Sequence, residues 1–222
     1  MRYKENEGFN IYVGFSVSAN DIKLSVDETN KTLSDLPSSL FKNIDYKTTS
    51  AMIGSIFCNS VAKMTGSIVN PIEKGHPDIV PASAEGSSEE SLRNYPEGLE
   101  IKCTVGNIVA GANLRAGETR IDSLTGITWQ AHHREVKELL GIVWDFVEDG
   151  KVFNYPAITG VFYSSDLSEN DWGAISGTTG RNTKVTGMGR SGKEKMGDGW
   201  VTLIDDQQYI EKYQRLLKFK VD

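Results

Sequence analysis

Residues 99–105, Leu-Glu-Ile-Lys-Cys-Thr-Val, alternate without a break: Leu99, Ile101, Cys103 and Val105 are apolar, and Glu100, Lys102 and Thr104 fall between them. Alternation of this kind marks a β-strand with one buried face, because successive side chains point to opposite sides. Glu100 and Lys102 therefore project together from the other face. An acid and an amine side by side, near a further charged residue from a neighbouring strand, make a place for a divalent cation and a water steered by the amine. Upstream, Gly-His-Pro-Asp-Ile-Val-Pro offers that residue in Asp78. Residues 74–105 are read on this basis as a metal-binding hairpin.

Pro77-Asp78 followed by Glu100-Ile101-Lys102 resembles the motif Pro-Asp, variable spacer, Asp/Glu-X-Lys of the PD-(D/E)XK nuclease superfamily, to which type II restriction endonucleases belong. The resemblance implies an α/β fold with a restriction-endonuclease-like central mixed sheet flanked by helices. It implies further that Asp78 and Glu100 ligate Mg2+, joined by the backbone carbonyl of Ile101, and that Asp78, Glu100 and Lys102 are catalytic, with Lys102 orienting the attacking water. Many members carry an additional glutamate on a preceding helix. Here no acid occurs between Asp45 and Glu73, and Asn59 and Ser60 are the polar residues left at that place.

A chain of 222 residues is expected to form a single domain spanning residues 1–222. The composition, 38% hydrophobic and 24% charged with a mean hydropathy of −0.35, is that of a soluble globular protein. No window approaches the roughly 20 apolar residues of a membrane span, and the charged N-terminus leads into no long apolar region, so the expectation is a cytoplasmic protein without membrane contact. The two cysteines, Cys58 and Cys103, lie in apolar surroundings and read as small buried hydrophobes. A net charge of −6 and pI near 5.2 argue against general phosphate binding, so DNA contact requires a local basic patch.

Along the chain, residues 9–17 alternate as a strand, and Asp21–Leu33 reads as a helix capped by Asn20 or Asp21 and ended by Pro37. Thr48–Met64 has apolar residues at three- and four-residue steps. It predicts a helix capped near Thr49 or Ser50, stopped at Gly66 and packed behind the hairpin. The polar, Ser- and Gly-rich residues 83–94 read as the mobile hairpin tip. Residues 121–137 are assigned to a helix, because the family that the motif resembles places one there, and the resemblance implies that Gln130 on it supports the catalytic cluster. Leu139–Val147 and Ala157–Ser164 read as strands joined by a turn at Glu148-Asp149-Gly150-Lys151, with Pro156 at a strand start or on an edge. Residues 166–198 are polar and glycine-rich. A strand, Trp200–Ile204, and a helix from Asp205 or Asp206 to about Lys218, with Tyr209, Ile210, Tyr213, Leu216 and Leu217 on one face, close the chain.

Between Gly173 and Gly197 lie five basic residues, one acid and seven glycines, an inversion of the acidic balance elsewhere. This loop, residues 173–197, is the DNA-binding candidate. Arg181 and Arg190 suit guanine, Asn182 suits adenine, and Lys184, Lys193 and Lys195 suit phosphates. Gly187–Lys193 mimics a nucleotide-binding loop, but Glu194 stands where Ser or Thr must hold magnesium, which excludes a nucleotide cofactor. The adjacent His132 and His133 would face different directions on a helix and read as surface or packed residues.

The expectation is a Mg2+-dependent, site-specific endonuclease acting on double-stranded DNA, a type II restriction enzyme working as a homodimer with one centre per strand. Alternatives are a repair or junction-resolving nuclease of the same fold, and a non-catalytic α/β binding protein in which Glu100 and Lys102 are a surface ion pair.

Overall fold

The computed structural model describes residues 1–73, 75–109, 117–147, 155–177 and 184–221. The five strands of its central sheet are β1 (Tyr3–Glu5), β2 (Ile101–Thr104), β3 (Leu139–Val147), β4 (Tyr155–Ser164) and β5 (Trp200–Ile204), in the spatial order β1-β5-β4-β3-β2. All neighbours are antiparallel except β3 and β2, which run parallel with Leu140 opposite Ile101 and Gly141 opposite Lys102. The protein is thus mixed α/β with a mixed sheet. Every described residue of β3 and β4 is buried, which is why both read as unbroken apolar runs: strands covered on both faces have no polar side to show. Pro156 stands at the second position of β4, opposite Phe146. The expected turn at residues 148–151 lies outside the described residues.

The cover comes from two pairs of helices, α1 (Ala19–Asp35) with α2 (Tyr46–Thr65), and α3 (Arg190–Asp198) with α4 (Gln207–Leu217). The cap of α1 is Ser18, two residues before Asn20, because Ser18 and Asp21 complete a reciprocal capping box. Asp45 caps α2 by accepting from the Thr48 amide, and Gly66 ends it in the left-handed conformation. Helix α2 packs against β2, with the Gly54 backbone close to Cys103. In α4, Tyr209, Ile210, Tyr213 and Leu217 are buried as its period predicts.

Sheet and helices are joined by polar contacts at a β-bulge. Val143 pairs with Gly160 and Trp144 with Ile158, leaving Thr159 as the extra residue. The Thr159 hydroxyl donates to the Val143 carbonyl at 3.2 Å and shares a hydrogen bond with the Tyr213 hydroxyl at 2.5 Å. Ile158 lies outside the stretch of β4 that pairs with β5. Its amide donates to Asn30 Oδ1 at 2.8 Å and its carbonyl accepts from the Tyr3 hydroxyl at 2.6 Å, so α1 is fastened to the sheet by satisfying a backbone pair.

Four expectations are overturned. Residues 9–17 are not one strand but a tight hairpin of Asn10–Tyr12 with Ser16–Ser18. Gly14, at φ +88°, lets the chain reverse inside an alternating run. Residues 121–137 contain no helix; Leu124–Gly126 and Gln130–Ala131 are short strands. There Ile127, Trp129 and Ala131 are buried while Thr128 and Gln130 are not, a period of two.

Within residues 166–198, a strand Lys184–Gly187 leads into α3. The glycines of α3 serve close packing: a Cβ on Gly197 would lie 2.6 Å from the Leu217 carbonyl oxygen, and one on Gly192 2.7 Å from Met188. Residues 83–94 are not simply a polar tip, since they form a 3-10 turn at Ala82–Ala84 and a short helix at Glu89–Arg93. Leu92 is buried there with Val80 and Ala84.

Candidate metal centre

Asp78 and Glu100 are brought together by a narrow backbone contact. Ile79 and Leu99 exchange hydrogen bonds, with Ile79 N–H to Leu99 O at 3.1 Å and Leu99 N–H to Ile79 O at 2.8 Å. Opposition of Ile79 and Leu99 in an antiparallel bridge sets Asp78 opposite Glu100. The two arms are not a regular hairpin beyond this bridge, because Ile79–Val80 pairs with Ile68–Val69 instead. Gly98 permits the approach: at φ +144° it has no Cβ, and one placed there would fall 2.2 Å from the Ile79 carbonyl oxygen and 2.4 Å from Pro77.

On the β3 side of β2, the Leu140 amide donates to the Glu100 carbonyl at 2.9 Å. Backbone direction alternates along a strand, so Ile101 presents its amide and carbonyl to the opposite, outer edge. The Ile101 amide donates there to Asp78 Oδ2 at 2.8 Å. Its carbonyl therefore lies on the Asp78 edge, as the resemblance requires of a ligand.

The acids have unequal surroundings. Glu100 is only 7% exposed, although the alternating pattern alone would put it in solvent. Lys102 pairs with Glu100 Oε1, and His76 Nδ1 lies 3.2 Å from Oε2. Burial pushes the Glu100 carboxyl up, but the His76 hydrogen bond and the Lys102 ammonium reverse this and hold it below the usual carboxylate range. Asp78 is raised, by burial first and by the neighbouring Glu100 charge second, against the partial relief of Lys102 and the Ile101 amide. Lys102 is raised too. Burial lowers it, but the Glu100 and Asp78 carboxylates outweigh that. His76 is raised in turn, first by its hydrogen bond to Glu100, so the ring's proton and the Lys102 ammonium together balance the two carboxylates when His76 is charged.

Among the described residues no group of three or more His, Cys, Asp or Glu side chains is arranged to hold a metal ion. The donor set that is present fits Mg2+ nonetheless: a hard cation that keeps several waters is held by one or two carboxylates. Asp78 and Glu100 would supply those, and the Ile101 carbonyl a third oxygen.

Two clefts meet at His76. One, of about 630 Å³, is lined by Lys47, Ser50 and Ser55 of α2 with Asp78, Lys102 and His132. The other, of about 460 Å³, is lined by Tyr12, Tyr95, Glu97, Glu100 and His133. His132 and His133 are not on a helix: both rings lie against His76, at centroid separations of 6.2 and 5.8 Å. His76 and Lys47 were not singled out in the sequence. His76 stands two residues before Asp78, the one signal available, whereas nothing local to Lys47 marks it. Asn59 and Ser60 stay out of the site: Asn59 donates to the Ser55 carbonyl, and buried Ser60 meets Thr29. Gln130 is exposed and paired through its backbone to Gly187, not in a helix supporting the cluster.

Of the expected DNA contacts, Arg181 and Asn182 lie outside the described residues. Lys184 is exposed at the start of its strand. Arg190 is exposed and pairs with Glu194 at 2.8 Å, a solvent-screened ion pair one helical turn apart. Lys193 is half-buried beside it. Lys195 is engaged: its ammonium donates to Asp171 Oδ2 at 2.9 Å and lies 3.4 Å from Asp166 Oδ2, a structural clasp rather than a free cation. The segment is tied to the site through backbone, because Thr186 pairs with Ala131, the residue before His132. Cys58 is buried and Cys103 half-buried, both as free thiols.

No protein-family model, curated protein or solved structure matches this chain. Among the described residues no helix is long and apolar enough to cross a membrane.

Proposed function

We propose that the chain is a Mg2+-dependent endonuclease of the restriction-endonuclease-like class, hydrolysing phosphodiester bonds of double-stranded DNA at specific sites as a homodimer. The observation that carries this reading is the convergence of Asp78, Glu100 and Lys102 at the outer edge of β2, with the Ile101 amide donating to Asp78. Bound there, Mg2+ would supply Lewis-acid polarisation of the phosphoryl oxygen and a more acidic water. The chain's own residues do the rest. Asp78 and Glu100 would hold the cation and Lys102 would orient the attacking water and offset charge, while Lys47 and the hydroxyls of Ser50 and Ser55, which share a cleft with Asp78 and Lys102, would receive a phosphate. Arg190, with Arg181 and Asn182, would make the base contacts that select a sequence, and Lys184 and Lys193 would contact phosphates.

The test is incubation of the purified protein with plasmid DNA, with Mg2+ and with EDTA, read on a gel. Discrete fragments that require Mg2+ support the reading. A Mg2+-dependent smear or nicking moves it to a repair or junction-resolving nuclease. No cleavage with any divalent metal returns Glu100 and Lys102 to a structural ion pair in a binding protein.

A further inference from the structure

We infer that His76 is a positioning residue for the metal centre, holding the Glu100 carboxylate in the orientation in which it takes a divalent cation; this rests on the proposed metal-dependent chemistry. The need follows from the two acids. Asp78 is short and one of its oxygens is fixed by the Ile101 backbone amide at 2.8 Å. Glu100 has one more rotatable bond, and side-chain freedom of that kind must be removed before a ligand set is pre-organised. Among the described residues its oxygens have one side-chain partner each, Lys102 on Oε1 and His76 Nδ1 on Oε2 at 3.2 Å. With Oε2 occupied by His76, Oε1 is the oxygen left for Lys102 and a cation to share.

His76 is itself well held. Its amide donates to the Arg93 carbonyl at 3.1 Å and its carbonyl accepts from the Tyr95 amide at 2.8 Å. His133 meets its ring edge-on at 89°, and His132 lies on it at a tilt. The brace is therefore a ring fixed by backbone on one side and by aromatic contacts on another, with Nδ1 aimed at one carboxylate oxygen. To donate there, the neutral ring must carry its proton on Nδ1. Supports of this type are worth about 10–100-fold in metal affinity or activity.

Two substitutions separate a donor role from a packing role. His76→Phe keeps a ring against His133 and removes the donor, whereas His76→Asn loses the ring and keeps an N–H donor at the Nδ1 position. Calorimetric titration of the full chain with Mn2+ should show affinity lower by about 10–100-fold in His76→Phe and mostly recovered in His76→Asn. Where DNA is cleaved, kcat should fall in His76→Phe with KM for DNA unchanged. In the 15N spectrum of the metal-free protein, which has three histidines to assign, His76 should carry a proton on Nδ1, whether the ring is neutral or charged. Equal Mn2+ affinity in His76→Phe and the unaltered chain, a loss in His76→Asn as large as in His76→Phe, or an Nε2–H tautomer overturns the inference. Mn2+ binding in the expected ranking without cleavage of any DNA sustains the role of His76 and removes the nuclease reading. Cleavage that is indifferent to His76→Phe does the reverse, and no Mn2+ binding by the unaltered chain removes both.

Discussion

The Ile101 amide donates to Asp78 Oδ2 across 2.8 Å, so the strand that carries Glu100 and Lys102 also fixes the Asp78 carboxylate beside them. The site is thereby built into backbone geometry at the sheet edge rather than assembled from mobile side chains.

Gly98 is the residue on which that geometry turns. A methyl group there would overlap the Ile79 carbonyl and Pro77, so Gly98→Ala must force apart the bridge that sets Asp78 opposite Glu100. Its positive φ adds strain of about 1–3 kcal/mol. The expected result is a folded but less stable protein that has lost Mn2+ binding by calorimetry, although no ligand was changed. Retention of full metal affinity would show that the approach of the two segments is not what builds the centre.

Asp78 gives a pH dependence with a definite sign. Burial and the Glu100 charge raise its folded value above the unfolded one, so the folded state binds the extra proton. In the metal-free protein, stability is therefore lost as pH rises from the ordinary aspartate range through the raised value. Glu100 acts in a separate, more acidic window: its folded value is depressed, and its contribution disappears as pH falls below the ordinary glutamate range. Asp78→Asn should accordingly stabilise the metal-free protein at neutral pH, on the order of 1 kcal/mol, while abolishing metal binding and cleavage. Thermal unfolding at several pH values, with and without Mg2+, checks this. A destabilised Asp78→Asn at neutral pH without metal would contradict it.

Lys102→Ala should remove cleavage while leaving DNA binding largely intact, since Lys102 is assigned to the water and not to substrate affinity. It also leaves Glu100 and Asp78 with less compensation, so the metal-free form should be destabilised by about 3–5 kcal/mol if the pair is fully broken, and Mg2+ should restore part of that. Single-turnover cleavage and gel shift in Ca2+ separate the two effects. Near wild-type cleavage would reassign the residue.

What could be read beforehand follows from how local each signal is. The alternation from Leu99 to Val105, the apolar runs of β3 and β4 and the period of α4 each reflect burial of that segment against something, and each element formed. The meeting of Asp78 with Glu100 was legible only as a motif. Its physical cause, Gly98 and the Ile79–Leu99 bridge, joins residues about twenty positions apart in sequence. In residues 121–137 the alternation of Ile127, Trp129 and Ala131 is a local period-of-two signal, whereas the helix implied there by the resemblance has no periodicity behind it. The glycines of α3 looked like loop residues because a glycine needed for close helix packing and one needed for a turn have the same side chain. Lys195 looked like a phosphate ligand because Asp171, which neutralises it, is remote in sequence.

Lys47 shows how position in three dimensions creates a testable role for a residue with no local signal. The preceding residue, Tyr46, lies under the Arg120 guanidinium at 4.1 Å, and Arg120 is itself buried over Trp144 and ion-paired to Asp145 at 3.4 Å. The first turn of α2 is thus anchored to β3, while Lys47 itself is exposed and lines the cleft that holds Asp78 and Lys102. On the proposed nuclease reading, a cation so placed would neutralise a phosphate adjoining the scissile one. Lys47→Ala should weaken DNA binding about equally on all sequences and reduce the slope of log affinity against log salt by about 1. Metal affinity and thermal stability should stay near those of the unaltered chain, because an exposed side chain is removed. Fluorescence anisotropy with a short duplex in Ca2+, over a series of salt concentrations, measures the slope directly. An unchanged slope would remove Lys47 from the DNA contact, and the other cleft, lined by Glu97, Glu100, Glu135 and Glu138, is too acidic to take its place.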